Sequence, residues 1–357
     1  MALSALPLFM PLFILWPPIF PYLVSSQLAP LLHRALVYAA SARASDTRVQ
    51  ISVQVNVVSV PVTVTDSHGN FVSGLTRENF RLMVDGAAEP VEYFAAEQEP
   101  AQVLILIETG PAVYFLRHEH IGASVALLEG LGAEDRVAIA SYSDAARLVL
   151  DFTTDKRQAA AAIGSLDYVV GMADLNFYDS LRVATDWAGT GGGKSAIVAL
   201  TTGLDGSEAG HWAELTAKLQ KSNVMILPVA LGGELRDSGA RVKKGGRQDA
   251  GAKIPAAAGS AEMSFAESDR ALESIAAETG GHAFFPRSPR DFDEAYRRID
   301  LLLRHAYSLG FAVRAADAHY HTIAVQVVDA SGHEFNGKER RPAYRWSSRR
   351  GFLAPSP

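Results

Sequence analysis

Five consecutive apolar residues, Val103 to Ile107, are followed by the turn Glu108-Thr109-Gly110-Pro111-Ala112. An apolar run of this length that ends at a Gly-Pro turn is typical of a parallel strand covered on both faces. In open α/β sheets, ligands bind just outside the carboxyl ends of such strands. The turn therefore marks where a binding site is expected, although its side chains offer few ligands.

The composition is that of an ordinary globular protein, with 357 residues of which 48% are hydrophobic and 20% are charged. This length allows two domains, or one large domain with additions. The formal net charge of −6 gives no reason to expect nucleic-acid binding. The chain has no cysteine, which excludes disulfides and thiolate metal sites.

The N-terminal residues 2–32 are uncharged and mostly apolar, but prolines interrupt them repeatedly. A membrane-spanning helix needs about 20 apolar residues without such breaks. The stretch ends at Ala42-Arg43-Ala44, which matches the small-x-small pattern of signal-peptide cleavage. We therefore predict an export signal over 1–44 and a periplasmic, envelope-bound or secreted protein. The alternatives are an uncleaved membrane anchor and a misassigned start.

Two hydrophobic periods divide the rest of the chain. Period-two alternation over 50–65 and in the short strand 80–84 predicts a β module over 50–98. Apolar strands then alternate with amphipathic helices, which predicts a doubly wound, mostly parallel α/β sheet over 101–305. Within it we expect the Gly/Ala/Lys-rich residues 232–260 to form a mobile loop. Period-two strands return over 306–347, and the simplest arrangement pairs them with the N-terminal strands.

The individual elements of the α/β region follow from these patterns. The predicted strands are Val103–Ile107, Arg136–Ser141, the edge strand Arg147–Phe152, Ala196–Leu200, Val224–Ala230 and His282–Phe285. The predicted helices cover about 113–130, 155–165, 177–188, 211–221, 267–279 and 291–305. Asp291 is expected to cap the last helix, and Gly280-Gly281 to end the helix before it.

Short motifs spread over about residues 53–346 together resemble a known family. In chain order they are VTVTD (62–66) with Gly69, GLTRENF (74–80), VDG (84–86), DFT (151–153), YDSL (178–181), ALTTG (199–203), TGG (279–281) and LRHAYSLG (303–310). Their order and spacing are similar to those of the bacterial von Willebrand factor A (vWA)-related family of the acidobacterial type. The resemblance implies the vWA fold, a Rossmann-like sheet that often carries a metal-ion-dependent adhesion site.

That adhesion site holds Mg²⁺ or Mn²⁺ with an Asp-x-Ser-x-Ser turn, a Thr from a second loop and a late Asp, all oxygen ligands. This sequence has Glu108, Gly110 and Ala112 at the turn positions, Leu175 beside Asp174 at the Thr position and Thr202 at the late Asp position. Mg²⁺ tolerates little geometric error, so we expect no stable metal and a solvated Glu108 at a strand end. The alternative is an altered Mg²⁺ or Mn²⁺ site built from Glu108, Asp174, Thr202 and Asp205.

Other motifs give no support for an enzyme. GTGGGKS (189–195) lacks the first glycine of a phosphate loop and precedes a strand instead of opening a helix. The turn after the first α/β strand has one glycine, too few for dinucleotide binding. No serine lies in a Gly-x-Ser-x-Gly elbow. His118 and His120 are spaced to point to different sides of a helix, so we expect solvated side chains there.

Two segments are rich in basic residues. Lys243-Lys244 with Arg247 lies in the predicted loop, and Lys338 to Arg350 carries six basic residues against Glu339. We expect solvated surface, with docking to an anionic lipid, polysaccharide or acidic partner as the sharper hypothesis for an exported protein.

Together these observations predict an exported, non-enzymatic interaction or adhesion scaffold whose partner is a protein or a cell-envelope ligand. The alternatives are a metal-dependent adhesin and an envelope hydrolase, whose nucleophile and base are not found. We expect Phe115 and Phe177 in the core. The partner and the oligomeric state stay open. The residues expected in the partner-binding loops are Glu108, Thr109, Gly110, Asp174, Asn176, Tyr178, Thr202 and Asp205.

Overall fold

The computed structural model describes residues 57–96, 99–171, 174–190, 193–206, 209–233, 236, 264–313, 316–335 and 343–356. The predicted export signal lies outside these residues, as does the predicted loop apart from Gly232, Gly233 and Arg236. The side chains of Phe115, His118 and His120 also lie outside the described part. No helix of the described chain is both long and apolar enough to cross a membrane.

Segments from both ends of the chain form two antiparallel sheets, which we call the β module. Its strands are β1 (Val57–Thr65), β2 (Phe80–Val84), β3 (Ala87–Glu89), β4 (Tyr93–Ala95), β10 (Tyr307–Ala312), β11 (Tyr320–Val327), β12 (Arg345–Ser348) and β13 (Gly351–Leu353). The sheet orders are β12-β1-β10-β4 and β13-β11-β2-β3. Alternate residues of β1, including Val60, Val62 and Val64, are buried in one core shared by both sheets. The N- and C-terminal strands therefore pair as predicted.

The middle of the chain forms a five-stranded sheet. Its strands are β5 (Ala101–Glu108), β6 (Arg136–Tyr142), β7 (Ala146–Thr153), β8 (Lys194–Thr201) and β9 (Val224–Ala230). The order is β7-β6-β5-β8-β9, with every pair parallel except β6 and β7. The predicted fold class, a doubly wound and mostly parallel sheet beside a β module, is confirmed.

Helices cover both faces of this sheet. They are α1 (Arg117–Gly130), α2 (Lys156–Gly164), α3 (Phe177–Ala188), α4 (Ala209–Lys221), α5 (Phe265–Thr279) and α6 (Pro289–His305), with 3-10 helices at Arg77–Asn79 and Pro111–Leu116. Side chains of α1, α2 and α6 share one core with alternate residues of β5. Side chains of α3, α4 and α5 share the other core. The central strand is thus buried on both faces, as its apolar run indicates.

Three local predictions concern the end of α5, the start of α6 and the segment between them. Gly280 ends α5 with a left-handed φ of 77°, as predicted. The cap of α6 is Ser288, because Asp291 occupies the third helical position and completes a capping box with it. The predicted strand His282–Phe285 is wrong, since it is reduced to one parallel bridge between Phe284 and Val229.

The expectation of a solvated surface is also wrong for Arg349, which is only 2% exposed. Its guanidinium donates to the carbonyl oxygens of Ser59 at 3.2 Å, Ser222 at 3.0 Å and Gln220 at 3.0 Å. A fourth hydrogen bond runs from Nε to the Gly351 carbonyl at 2.9 Å. Arg349 therefore joins the β module to the end of α4 and the residue that follows it.

Candidate functional site

The candidate site lies where β5, β6 and β8 end side by side. Glu108 is the last residue of β5, between Tyr142 at the end of β6 and Thr201 at the end of β8. Its side chain is fully buried, so the prediction of a solvated Glu108 is wrong. The physical reason is that the neighbouring strand ends supply enough hydrogen-bond donors to satisfy a buried carboxylate.

Four donors meet the same carboxylate oxygen of Glu108. Oε2 accepts from the backbone N–H of Thr202 at 2.6 Å, from Tyr142 Oη and from Thr202 Oγ1 at 2.9 Å each, and from Thr201 Oγ1 at 3.2 Å. Thr202 Oγ1 also lies 3.1 Å from Oε1. Thr201 Oγ1 in turn accepts from the backbone N–H of Gly203 at 2.8 Å. We call Glu108, Tyr142, Thr201 and Thr202 the Glu108 network.

Burial controls the protonation of this network. It raises the pKa of Glu108, while the hydrogen bonds from Thr202, Tyr142 and Thr201 act in the opposite direction. Burial, reinforced by the charge of Glu108, raises the pKa of Tyr142 well above its usual value. Tyr142 therefore stays protonated and remains a hydrogen-bond donor.

An arginine that is mostly shielded from solvent lies next to the network. Arg236 forms an ion pair with Asp269, donates to the Thr202 carbonyl and donates from Nε to the Leu231 carbonyl at 3.0 Å. Its guanidinium lies 4.9 Å from the ring centroid of Phe265. Burial lowers the pKa of Arg236 to about 10, and the attraction of Glu108 opposes that shift. Arg236 thus places a positive charge near the buried carboxylate.

Leu175 fills the space in which the resemblance places a serine hydroxyl. A Cβ atom added to Gly110 would collide with the Leu175 side chain and lie 3.9 Å from Glu108 Oε1. The space beside the carboxylate is therefore apolar on this side. A hard cation needs oxygen ligands there, so these residues do not fit an octahedral Mg²⁺ or Mn²⁺ site.

Asp205, another residue of the alternative metal site, also has a structural contact. Its Oδ1 accepts from the backbone N–H of Tyr178 at 2.9 Å, in the first turn of α3. Asn176, the capping residue of that helix, uses its side-chain amide to bind the Asp144 carbonyl at 2.7 Å. Asp205 therefore caps α3 from a neighbouring loop. In the part of the chain that the structure describes, no group of three or more His, Asp or Glu residues is placed to hold a metal.

The residues predicted to bind a partner divide into two groups. The residues of the first group are buried, so they can position the loops but cannot contact a partner directly. They are Glu108, Thr109, Gly110, Tyr178, Thr202 and Asp205. Asp174 is exposed and Asn176 is half-buried. Phe177 is fully buried, as predicted. The loop before α3 additionally exposes Val170, 70% accessible, whose neighbour Val169 is anchored by its N–H to the Thr109 carbonyl at 2.9 Å.

Sequence reasoning missed Tyr142, Leu175 as a space-filling residue, and Arg236. Tyr142 directly follows the predicted strand Arg136–Ser141, so its place at the strand ends was accessible from the pattern. Arg236 lies in a segment predicted as a loop, and no sequence signal connects it to Glu108.

The sheet order and the helices on both faces are the architecture that the resemblance to vWA-related domains implies. No family model matches the sequence, and neither does any curated protein.

Solved structures with similarity to this chain include vWA domains. A von Willebrand factor type A structure from Catenulispora acidiphila is 12% identical, covers 78% of this chain and 72% of its own, and has a TM-score of 0.43. An aerotolerance-related membrane protein from Bacteroides fragilis is 15% identical, with 57% of this chain and 98% of its own covered and a TM-score of 0.43. The protein BatB from Bacteroides thetaiotaomicron has the same identity and coverage and a TM-score of 0.40.

These identities and TM-scores are too low to indicate a shared function. The predicted α/β fold is confirmed by the sheet order and by the helices on both faces of the sheet. Membership of the vWA-related family, its acidobacterial type and the degenerate metal site remain predictions.

Proposed function

We propose that this protein is an exported, non-enzymatic scaffold that binds a protein or cell-envelope partner without a metal ion. The observation that carries the proposal is the Glu108 network, in which the carboxylate is fully buried and engaged by donors of its own chain. A carboxylate in this state has no open oxygen face for a cation that a partner would share. Export is proposed from the apolar N-terminal sequence and its Ala42-Arg43-Ala44 end.

The partner is proposed to contact the exposed part of the loops above the network. Val170 and Asp174 are exposed in the loop before α3. The end of this loop is fixed by Asn176, whose N–H donates to the Ser143 carbonyl at 2.9 Å. The Gly206 N–H also donates to the Leu175 carbonyl at 2.7 Å. A loop fixed in this way presents its exposed side chains with little loss of conformational entropy on binding.

Capture of partners from an envelope extract tests this proposal when loop variants are compared with a matched control. Asp174→Lys and Val170→Ser change exposed loop residues, whereas Glu134→Lys reverses an exposed charge just before β6, at the other end of the sheet. We expect capture to be lost in the loop variants, kept in Glu134→Lys and unchanged by a chelator. Capture that requires Mg²⁺ or Mn²⁺, or that survives both loop changes, contradicts the proposal.

A further inference from the structure

Among the described residues, one edge of the five-stranded sheet is covered and the other is open. At the β9 edge, Phe284 donates its N–H to the Pro228 carbonyl at 2.8 Å and accepts from the Ala230 N–H at 2.8 Å. At the opposite edge, β7 has β6 as its neighbour, and no second strand of the described chain pairs with it. An uncovered strand edge exposes backbone donors and acceptors that another chain can engage.

The open edge also exposes apolar side chains. Leu148 is 40% accessible and Val149 is 38% accessible, and they are adjacent in β7. Pairing with β6 runs from Ala140↔Leu148 to Ile139↔Leu150, so Val149 is an extra residue in a β-bulge. The bulge shortens the ladder that a second strand can form here. Recognition at this edge must therefore come largely from side chains.

The sequence of β7 is complementary to itself when read in the opposite direction. Arg147-Leu148-Val149-Leu150-Asp151 has a basic residue at one end, an acidic residue at the other and three apolar residues between them. Because register shifts with β6 lie on both sides of Leu150, β7 is irregular here and only the order of charges along the segment matters. When two copies lie antiparallel about a two-fold axis near Val149, the Arg147 end of each segment faces the Asp151 end of the other. Opposite charges facing each other across antiparallel strands are favourable, and like charges are unfavourable.

In the isolated chain these charges have only weak local contacts. Arg147 lies 3.1 Å from Asp144, and the two side chains are 64% and 57% exposed. An ion pair exposed to this degree contributes little and is readily exchanged for another partner. Asp151 is exposed, and its Oδ1 accepts from the backbone N–H of the next residue at 2.7 Å.

We propose that the β7 edge binds a second copy of this chain, giving a two-fold symmetric, reversible dimer in which Arg147 pairs with Asp151 of the other copy. A closed two-fold contact uses the same patch on both subunits, which is what the self-complementary sequence provides. The proposal does not depend on the partner-binding function described above.

Sedimentation of the full chain over a range of concentrations tests the dimer. Arg147→Asp and Asp151→Arg each turn both charge pairs into repulsions, so we expect each variant to self-associate about tenfold more weakly or worse. An equimolar mixture of the two single variants should associate as the unchanged protein does, because one copy is then acidic and the other basic at this edge. The double variant Arg147→Asp/Asp151→Arg should also recover self-association.

Arg290→Asp, at an exposed position in the first turn of α6, is the matched control and should leave self-association unchanged. Thermal unfolding verifies that each variant folds. We expect melting temperatures close to that of the unchanged protein, because the changed side chains are exposed. A chain that stays monomeric at every concentration overturns the proposal. So do single variants that associate like the unchanged protein, or a mixture that stays monomeric.

Discussion

Replacing Glu108 by alanine is expected to cost the fold about 3 to 5 kcal/mol. The change removes the acceptor of the Thr202 N–H, and a buried donor left without a partner costs about 1 to 3 kcal/mol. The lost methylenes and the cavity add about 2 kcal/mol. The hydroxyl oxygens of Tyr142 and Thr201 lie 2.5 Å apart, so without Glu108 one hydroxyl can turn its single proton to the other, and we add no cost for that one.

Glu108→Gln is the matched variant, because it keeps the size of the side chain and one acceptor oxygen. Burial raises the pKa of Glu108 in the folded state above the ordinary 4.5. The folded state therefore holds this proton more tightly, and the unchanged protein loses stability as pH rises from about 4.5 through the folded-state pKa. Glutamine has no proton to lose, so this contribution to the pH dependence should be absent in Glu108→Gln.

Urea unfolding of the three proteins at a series of pH values from 4.5 upward measures both effects. The stability of Glu108→Gln relative to the unchanged protein should increase with pH, and Glu108→Ala should be the least stable. Parallel pH profiles for Glu108→Gln and the unchanged protein, or a cost below about 1 kcal/mol for Glu108→Ala, would show that the buried carboxylate does not have these effects.

Three further predictions concern other contacts. Arg349→Ala should lower the free energy of unfolding by about 2 to 4 kcal/mol, because four carbonyl groups lose their donor. In urea unfolding, Arg349→Lys should restore only part of this loss, since lysine lacks the planar guanidinium. The ring nitrogens of His321 lie 2.7 Å from Asp85 and 3.2 Å from Asp317, and these carboxylates raise the pKa of His321. The resulting stabilisation is present below the ordinary histidine pKa of 6.5 and is lost as pH rises through the folded-state pKa. An NMR titration of His321 with a midpoint at or below pH 6.5 would contradict this prediction. Gly110→Ser should lower the melting temperature because the new side chain collides with Leu175, and Leu175→Ala in the same chain should recover part of the loss; no loss in the single variant would count against the observed packing.

The sequence predicts those parts of the fold that depend on local pattern. The apolar run Val103–Ile107 predicts a strand buried on both faces, and Gly280 predicts the left-handed end of α5. The state of Glu108 was not predictable in this way, because its donors come from the ends of two other strands, 34 and 93 or more residues along the chain. The burial of Arg349 was not predictable for the same reason, since the carbonyl groups that it binds are distant in sequence. A run of charged residues therefore indicates an exposed surface only when no buried carbonyl groups are placed to accept its hydrogen bonds.

The strand ends are closed around a buried Glu108, and we propose that they bind no metal ion. Calorimetric titration of the full chain with Mg²⁺ and with Mn²⁺ tests it most directly, with Glu108→Gln as the comparison. We expect no saturable heat up to low millimolar metal in either protein. Heat that saturates in the unchanged protein and disappears in a folded Glu108→Gln variant would contradict it.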